Sequence, residues 1–223
     1  MCPQKLRASF YIDGFNLYHA IDDLGRPHLK WVDLWQLSES LINPREEELQ
    51  AVYWCTAEHH RHSDKRQRHR VYRKALESVG VSPLCGHFVD EELKCRAECG
   101  QIYQKDTEKQ GDINVALQLI RDGYDNAFDR CYLVSADSDQ AATARVFAEL
   151  FPDKELVAVA PPGRRHSKHI LKYTNQTRTI YEETVERSLF QREVLAGGRF
   201  VVKRPARYDP PRGWIRPPKK VRN

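Results

Sequence analysis

Short, largely apolar runs that alternate with helix-period segments constrain this chain more than any other feature. Residues 7–12, 49–56, 81–89, 130–134 and 155–160 read as strands. Between them, residues 16–23, 31–42, 63–79, 112–122 and 140–151 space their apolar side chains as helices do. A run such as Cys131-Tyr132-Leu133-Val134 has no polar face, so it must be covered on both sides, as parallel strands are. The alternation implies a three-layer α/β fold, with a mostly parallel central sheet and helices on both faces.

The pattern continues without a clear linker until about Ala196. Residues 1–196 therefore read as one domain, with an insertion at about 85–104 interrupting the alternation. Residues 197–223 read as a Pro- and Arg-rich tail, disordered or extended until bound. The helix at 112–122 is the clearest, with Ile113, Ala116, Leu117 and Ile120 as its apolar stripe and Gly123 at its end. No apolar run approaches the roughly 18 residues of a membrane span. Arg7 interrupts any export signal at the N-terminus. Six cysteines without such a signal point to a reducing cytoplasm rather than a disulfide framework.

Aspartates sit where these strands and helices meet loops. Asp13 closes the first strand, Asp112 opens the clearest helix, and Asp137 and Asp139 follow the strand at 130–134. Ligands of open α/β sheets bind beyond the carboxyl ends of the strands, so carboxylates delivered there by separate segments can converge. Grouped anionic oxygens repel one another unless a cation sits among them, and hard oxygen donors suit Mg²⁺ or Mn²⁺. Each aspartate also has a plainer explanation: Asp112 can be a cap or a first-turn residue, Ser138 or Asp137 can cap the helix that follows, and Asp13 before Gly14 can make a turn. A phosphatase of the haloacid-dehalogenase type needs a second Asp two residues after the first, and Phe15 stands there instead.

Three segments carry a closer likeness. Tyr11-Ile12-Asp13-Gly14-Phe15-Asn16-Leu17 resembles the opening motif of the NYN domain family, in its LabA-like bacterial form, a branch of the PIN-like nucleases. Glu108-Lys109-Gln110-Gly111-Asp112-Ile113-Asn114-Val115-Ala116 and Leu133-Val134-Ser135-Ala136-Asp137-Ser138-Asp139 continue the likeness over roughly residues 7–180. Gln110-Gly111 departs from the more usual single small step before the Asp, and Ala136 stands where glycine is common; neither touches a carboxylate. The resemblance implies a PIN-like fold and a metal-dependent ribonuclease. Its metal-site acids fall on Asp13, Asp112, Asp137 and Asp139, with Asn16 supporting the first carboxylate and Lys109 and Ser135 beside the site. A binding module of the same fold without turnover is the alternative.

Charge and cysteine placement suggest what else the chain touches. The net charge is +5, but residues 199–223 hold nine Lys/Arg and one acid, a net of +8, so the rest carries 5 − 8 = −3. Within that mildly acidic body, residues 59–74 hold seven Lys/Arg, four His and one acid. Arg61, Lys65, Arg66, Arg68 and Arg70 suit a polyanion such as RNA, single-stranded or structured, and the tail's Phe200, Tyr208 and Trp214 suit unpaired bases. The preference for RNA over DNA comes from the family resemblance. Cys85, His87, Cys95 and Cys99 could close a tetrahedral Zn²⁺ site, although a Cys-x₃-Cys spacing also fits ordinary thiols. A homodimer or a regulatory protein partner stays open.

Overall fold

The computed structural model describes residues 4–57, 63–94, 99 and 101–218, with the backbone alone for 88–94 and 103–109. In chain order the elements are β1 (Leu6–Ile12), α1 (Gly14–Asp22), α2 (Leu34–Leu41), β2 (Glu47–Ala57), α3 (Ser63–Ser78), β3 (Val81–Lys94), β4 (Ile102–Lys109), α4 (Gly111–Tyr124), β5 (Arg130–Val134), α5 (Ala141–Leu150), β6 (Glu155–Ala160), β7 (Gln176–Thr179), α6 (Glu182–Arg187), β8 (Glu193–Ala196) and β9 (Arg199–Lys203). Seven strands form one sheet in the order β4-β3-β2-β1-β5-β6-β7. Six of them are parallel, and β4 joins the edge antiparallel to β3. The chain winds outward from β1 through β2 and β3, then returns to β5 on the other side of β1 and winds outward again. The crossovers thus reverse direction between β1 and β5, which leaves a crevice beyond the carboxyl ends of those two strands.

The sheet buries both faces, as a strand without a polar side requires. On β1, Phe10 and Ile12 point to one face and Tyr11 to the other. The first face is closed by Leu17 and Ile21 of α1, Leu34 and Leu37 of α2, Ala75 and Leu76 of α3, and Val185 of α6. The second is closed by Val115 and Leu119 of α4 and Phe147 of α5. Phe10 stacks on Tyr132 of the adjoining strand, with ring centroids 4.2 Å apart. The three-layer α/β architecture is therefore the one the alternation implied.

Several local expectations change. α4 does not bury Ile113 and Leu117, which are 59% and 64% exposed; it buries Val115, Leu119, Asp122 and Gly123. Two groups rotate the helix onto that face. Gly123 admits the Phe151 ring so closely that a Cβ there would stand 2.5 Å from it. Asp122 turns its buried carboxylate inward to accept the Tyr11 hydroxyl at 2.7 Å. The segment at 31–42 divides into a 3₁₀ turn at Pro27–Trp31 and α2, because Asp33 caps α2 by accepting from the Gln36 N–H.

The insertion is a β-arm: β3 runs on to Lys94 and pairs with β4 back to Lys109. Residues 197–218, read from composition as a tail, belong to the folded body. Gly197 and Gly198 take positive φ in the turn between β8 and β9, Val202 is buried, and Tyr208 and Trp214 pack on the core. Trp214 Nε1 donates to Glu186 and Arg216 donates to the Phe190 carbonyl. Among the described residues no helix is long and apolar enough to cross a membrane.

Candidate functional site

β1 and β5 end together, with the Asp13 N–H donating to the Val134 carbonyl at 3.1 Å. The chain then turns into α1, and the Asp13 carboxylate caps that helix by accepting from the Asn16 N–H at 2.9 Å. Its other oxygen accepts from the Ser135 hydroxyl at 3.0 Å. Asn16 reaches back across the crevice, its Oδ1 accepting from the Ala136 N–H at 2.9 Å. Ser135 also accepts from the Asp137 N–H at 3.1 Å, and the Asp137 carboxylate accepts from the Asp139 N–H at 3.0 Å. One Ser hydroxyl and one Asn amide thus lock the loop after β5 to the start of α1.

Asp112 arrives from a third direction, at the end of the β3–β4 arm. Gln110 takes a left-handed φ of 74° and Gly111 follows, buried, with its carbonyl accepting from Cys55 Sγ at 3.0 Å. This two-residue step starts α4 with Asp112 in its first turn rather than at its cap. Gln140 holds it there, donating to the Asp112 carbonyl at 3.2 Å and to its carboxylate at 3.4 Å. Gln140 is 1% exposed and accepts in turn from the Thr143 hydroxyl. Sequence reasoning did not single out Gln140, because it lies outside the motifs and its only signal is polarity at a helix start.

Burial and neighbouring carboxylates both act on Asp13 and Asp112. Asp13 is 6% exposed, and its pKa is pushed up to about 6. Burial is the chief cause, and the charges of Asp112 and Asp137 add to it against the stabilising hydrogen bonds from Asn16 and Ser135. Asp112 is raised too, first by burial and then by Asp137 and Asp139, against the Gln140 hydrogen bond. Among the described residues no Lys or Arg forms an ion pair with any of the four. Nor do three His, Cys, Asp or Glu side chains stand close enough to form a ready-made cage for an ion. The arrangement is an open anionic edge built from oxygen donors.

Two predictions follow from this packing. An aspartate with a raised folded pKa costs stability above its ordinary value of 3.8, and the cost grows as pH rises through about 6. Asp13→Asn keeps a capping oxygen and removes the charge. It is expected to stabilise the metal-free protein by about 2–3 kcal/mol at pH 7 and by nothing near pH 3.5, since a pKa unit is worth about 1.36 kcal/mol. Urea melts at the two pH values check this, and equal stabilisation at both would refute it. Gly14 follows Asp13, and a Cβ there would lie 1.9 Å from the Cys55 carbonyl and 2.5 Å from Trp54 Nε1. Backbone on one side cannot yield, so Gly14→Ala is expected to cost about 3 kcal/mol in a thermal melt.

The remaining expected residues are more dispersed. Lys65 and Arg68 of α3 line a cleft of ≈ 570 Å³ that opens beside Gly14 and Phe15. Arg66 and Arg70 lie on the same helix but do not line it. Arg61 and Cys95 fall outside the described residues, as does the side chain of Lys109. Cys85 and Cys99 are exposed thiols, and His87 Nδ1 pairs with Gln110 Oε1 at 3.2 Å. The four-residue zinc arrangement therefore rests in part on a position that is not described.

No protein-family model matches the chain. It is 27% identical over 210 residues to a Pseudomonas putida protein named 6-hydroxy-3-succinoylpyridine 3-monooxygenase, covering 78% of this chain and 67% of that protein. Its fold is similar to that of a Vibrio parahaemolyticus protein of unknown function, with a TM-score of 0.52 and 16% identity, over 82% of this chain and 97% of the other. That likeness bears on architecture alone.

Proposed function

We propose that this chain is a divalent-metal-dependent ribonuclease that hydrolyses RNA phosphodiester bonds at the Asp13–Asp112–Asp137 edge. What supports the reading is that Asp13 feels the charges of Asp112 and Asp137, and Asp112 those of Asp137 and Asp139, with no ion pair to any of them from a described Lys or Arg, at the strand ends where the crossovers reverse. Capping accounts for Asp13 and Asp137 singly, but not for the raised pKa of Asp112 beside them. The NYN-like motifs fall on these same residues. Mg²⁺ keeps several waters and takes one or two carboxylates plus substrate phosphates, so an open set of oxygens suits Mg²⁺ or Mn²⁺. Bound there, such an ion would offset charge on the scissile phosphate and lower the pKa of a water.

The chain's own contribution is placement. Ser135 and the Asn16 N–H fix the Asp13 carboxylate, Asn16 Oδ1 fixes the loop that carries Asp137, and Gln140 fixes Asp112. The phosphate backbone on either side would meet Lys65, Arg68 and their neighbours on α3, a contact that weakens with salt.

A second reading is favoured by the cleft beside Asp13. Its ≈ 570 Å³ is the size of a small-molecule site, and the Pseudomonas relative is named for a reaction on a substituted pyridine. On that reading the chain acts on a small aromatic acid. Labelled single-stranded RNA, incubated with metal-stripped protein in Mn²⁺, Mg²⁺ or EDTA, separates the readings. Metal-dependent cleavage supports the nuclease. Salt-sensitive binding without cleavage would leave an RNA-binding module, and neither binding nor cleavage would leave the small-molecule reading.

A further inference from the structure

The cleft beside Gly14 and Phe15 combines aromatic and cationic side chains. One side is aromatic. Trp54 is almost fully buried, stacks on His69 with centroids 5.5 Å apart, and meets Tyr72 edge-on at 5.5 Å. The other side is cationic, with Lys30, Lys65, Arg68 and Arg207 against a single carboxylate, Asp22, so the lining carries 4 − 1 = +3. Asp22 is already paired with Lys30, which also sits over the Tyr18 ring at 4.6 Å. Arg68 lines the cleft beside Tyr208. Among the described residues no carboxylate pairs with Lys65 or Arg207. Like charges gathered around one cleft repel unless an anion comes between them.

Position adds the third element. Gly14 and Phe15 line the cleft and directly follow Asp13 in the chain, so the cleft opens at the start of α1. Arg207 and Tyr208, beyond the β8–β9 hairpin, also line the cleft, so the segment at 197–218 contributes to it. We propose that this cleft seats one unstacked nucleotide, its ring against the aromatic side and a phosphate on the cationic rim. The proposal rests on the ribonuclease reading for its context: a nucleotide in a strand has a phosphate on each side, and the second would lie toward Asp13. Stacking of a base on an aromatic side chain tolerates any sequence, so the cleft would hold the strand without reading it.

The test uses the full-length protein in EDTA, titrated with AMP, UMP, adenosine and nicotinate, and followed by tryptophan fluorescence and calorimetry. AMP and UMP are expected to bind, adenosine more weakly. Lys65→Glu and Arg207→Glu, both at exposed positions that leave the fold unchanged by circular dichroism, are each expected to weaken AMP by about tenfold, the loss of one charge-assisted contact of roughly 1.4 kcal/mol. AMP binding with these losses, in a protein that cleaves no RNA, supports the nucleotide seat and removes the nuclease reading. RNA cleavage without AMP binding, and unaffected by both variants, overturns the seat and leaves the nuclease reading standing. Nicotinate binding where AMP does not bind overturns it in favour of a small aromatic acid.

Discussion

Asp112→Asn is expected to lower RNA cleavage by about 10²–10³-fold, the usual cost of removing one group that offsets charge developing in a reaction, with the melting temperature unchanged or slightly raised. Asn keeps the Oδ1 that accepts from Gln140, and the second Gln140 contact goes to the main-chain carbonyl, which no side-chain exchange touches. The substitution removes one of the mutually repelling charges that, with burial, raise Asp112. It gives up a favourable carboxylate in the first turn of α4, worth about 0.3–1 kcal/mol, so the two effects on stability nearly cancel. The measurement is initial rate on a labelled oligonucleotide at saturating Mn²⁺, beside a thermal melt. A rate within twofold of the unmodified protein would remove Asp112 from the site. Asp13→Asn should be equally inactive but more stable at neutral pH, and that combination separates a group kept for chemistry from one kept for structure.

The sequence made the central features legible for a physical reason. Strands buried on both faces cannot disguise themselves, so β1, β5 and β6 could be read from Phe10, Cys131 and Leu156 with their neighbours. Asp13 and Asp137 could be placed because they stand where those runs stop. The plainer explanations hold in part: Asp137 caps the turn that follows it, Asp112 stands in the first turn of α4, and Asp13, expected to make a turn, caps α1.

What stayed hidden depends on contacts between distant segments. Nothing local says that α4 turns Val115 rather than Ile113 inward, because Tyr11, Phe128 and Phe151 decide it from other parts of the chain. The charges of Asp90, Glu91 and Glu92 argue against a strand, yet β3 continues through them as an edge arm paired only with β4. The Pro- and Arg-rich composition after Gly198 concealed that Val202, Tyr208 and Trp214 are spaced to pack on the core. Gln140 was hidden for the same reason, since its partner is 28 residues away.

Arg130→Met is expected to cost about 3–5 kcal/mol of stability, the typical result of stranding a buried charge, without altering cleavage by the molecules that remain folded. Arg130 opens β5, and its guanidinium bridges Glu47 at the start of β2, at 2.9 Å, and Glu155 at the start of β6, at 2.7 Å. The Glu47 side chain has no exposure at all, while Glu155 reaches solvent. Glu47 also accepts from the Tyr132 hydroxyl at 2.6 Å and the Asn43 N–H at 2.7 Å. Those neutral donors remain in the variant, but its one described ion-pair partner is gone. Adding Glu47→Gln removes the stranded charge, so the double variant should recover much of the loss. Urea melts at constant slope give the energies, and additive losses from the two single changes would contradict the coupling. This network lies at the amino edge of the sheet, while Asp13 and Asp137 lie beyond the carboxyl edge, roughly 15–20 Å away at about 3.3 Å per strand residue. Among the described residues, the parallel strands thus carry an ion-paired charge cluster at one end and carboxylates without an ion-pair partner at the other. The first serves stability, and the Arg130 and Asp112 variants together test whether the second serves chemistry.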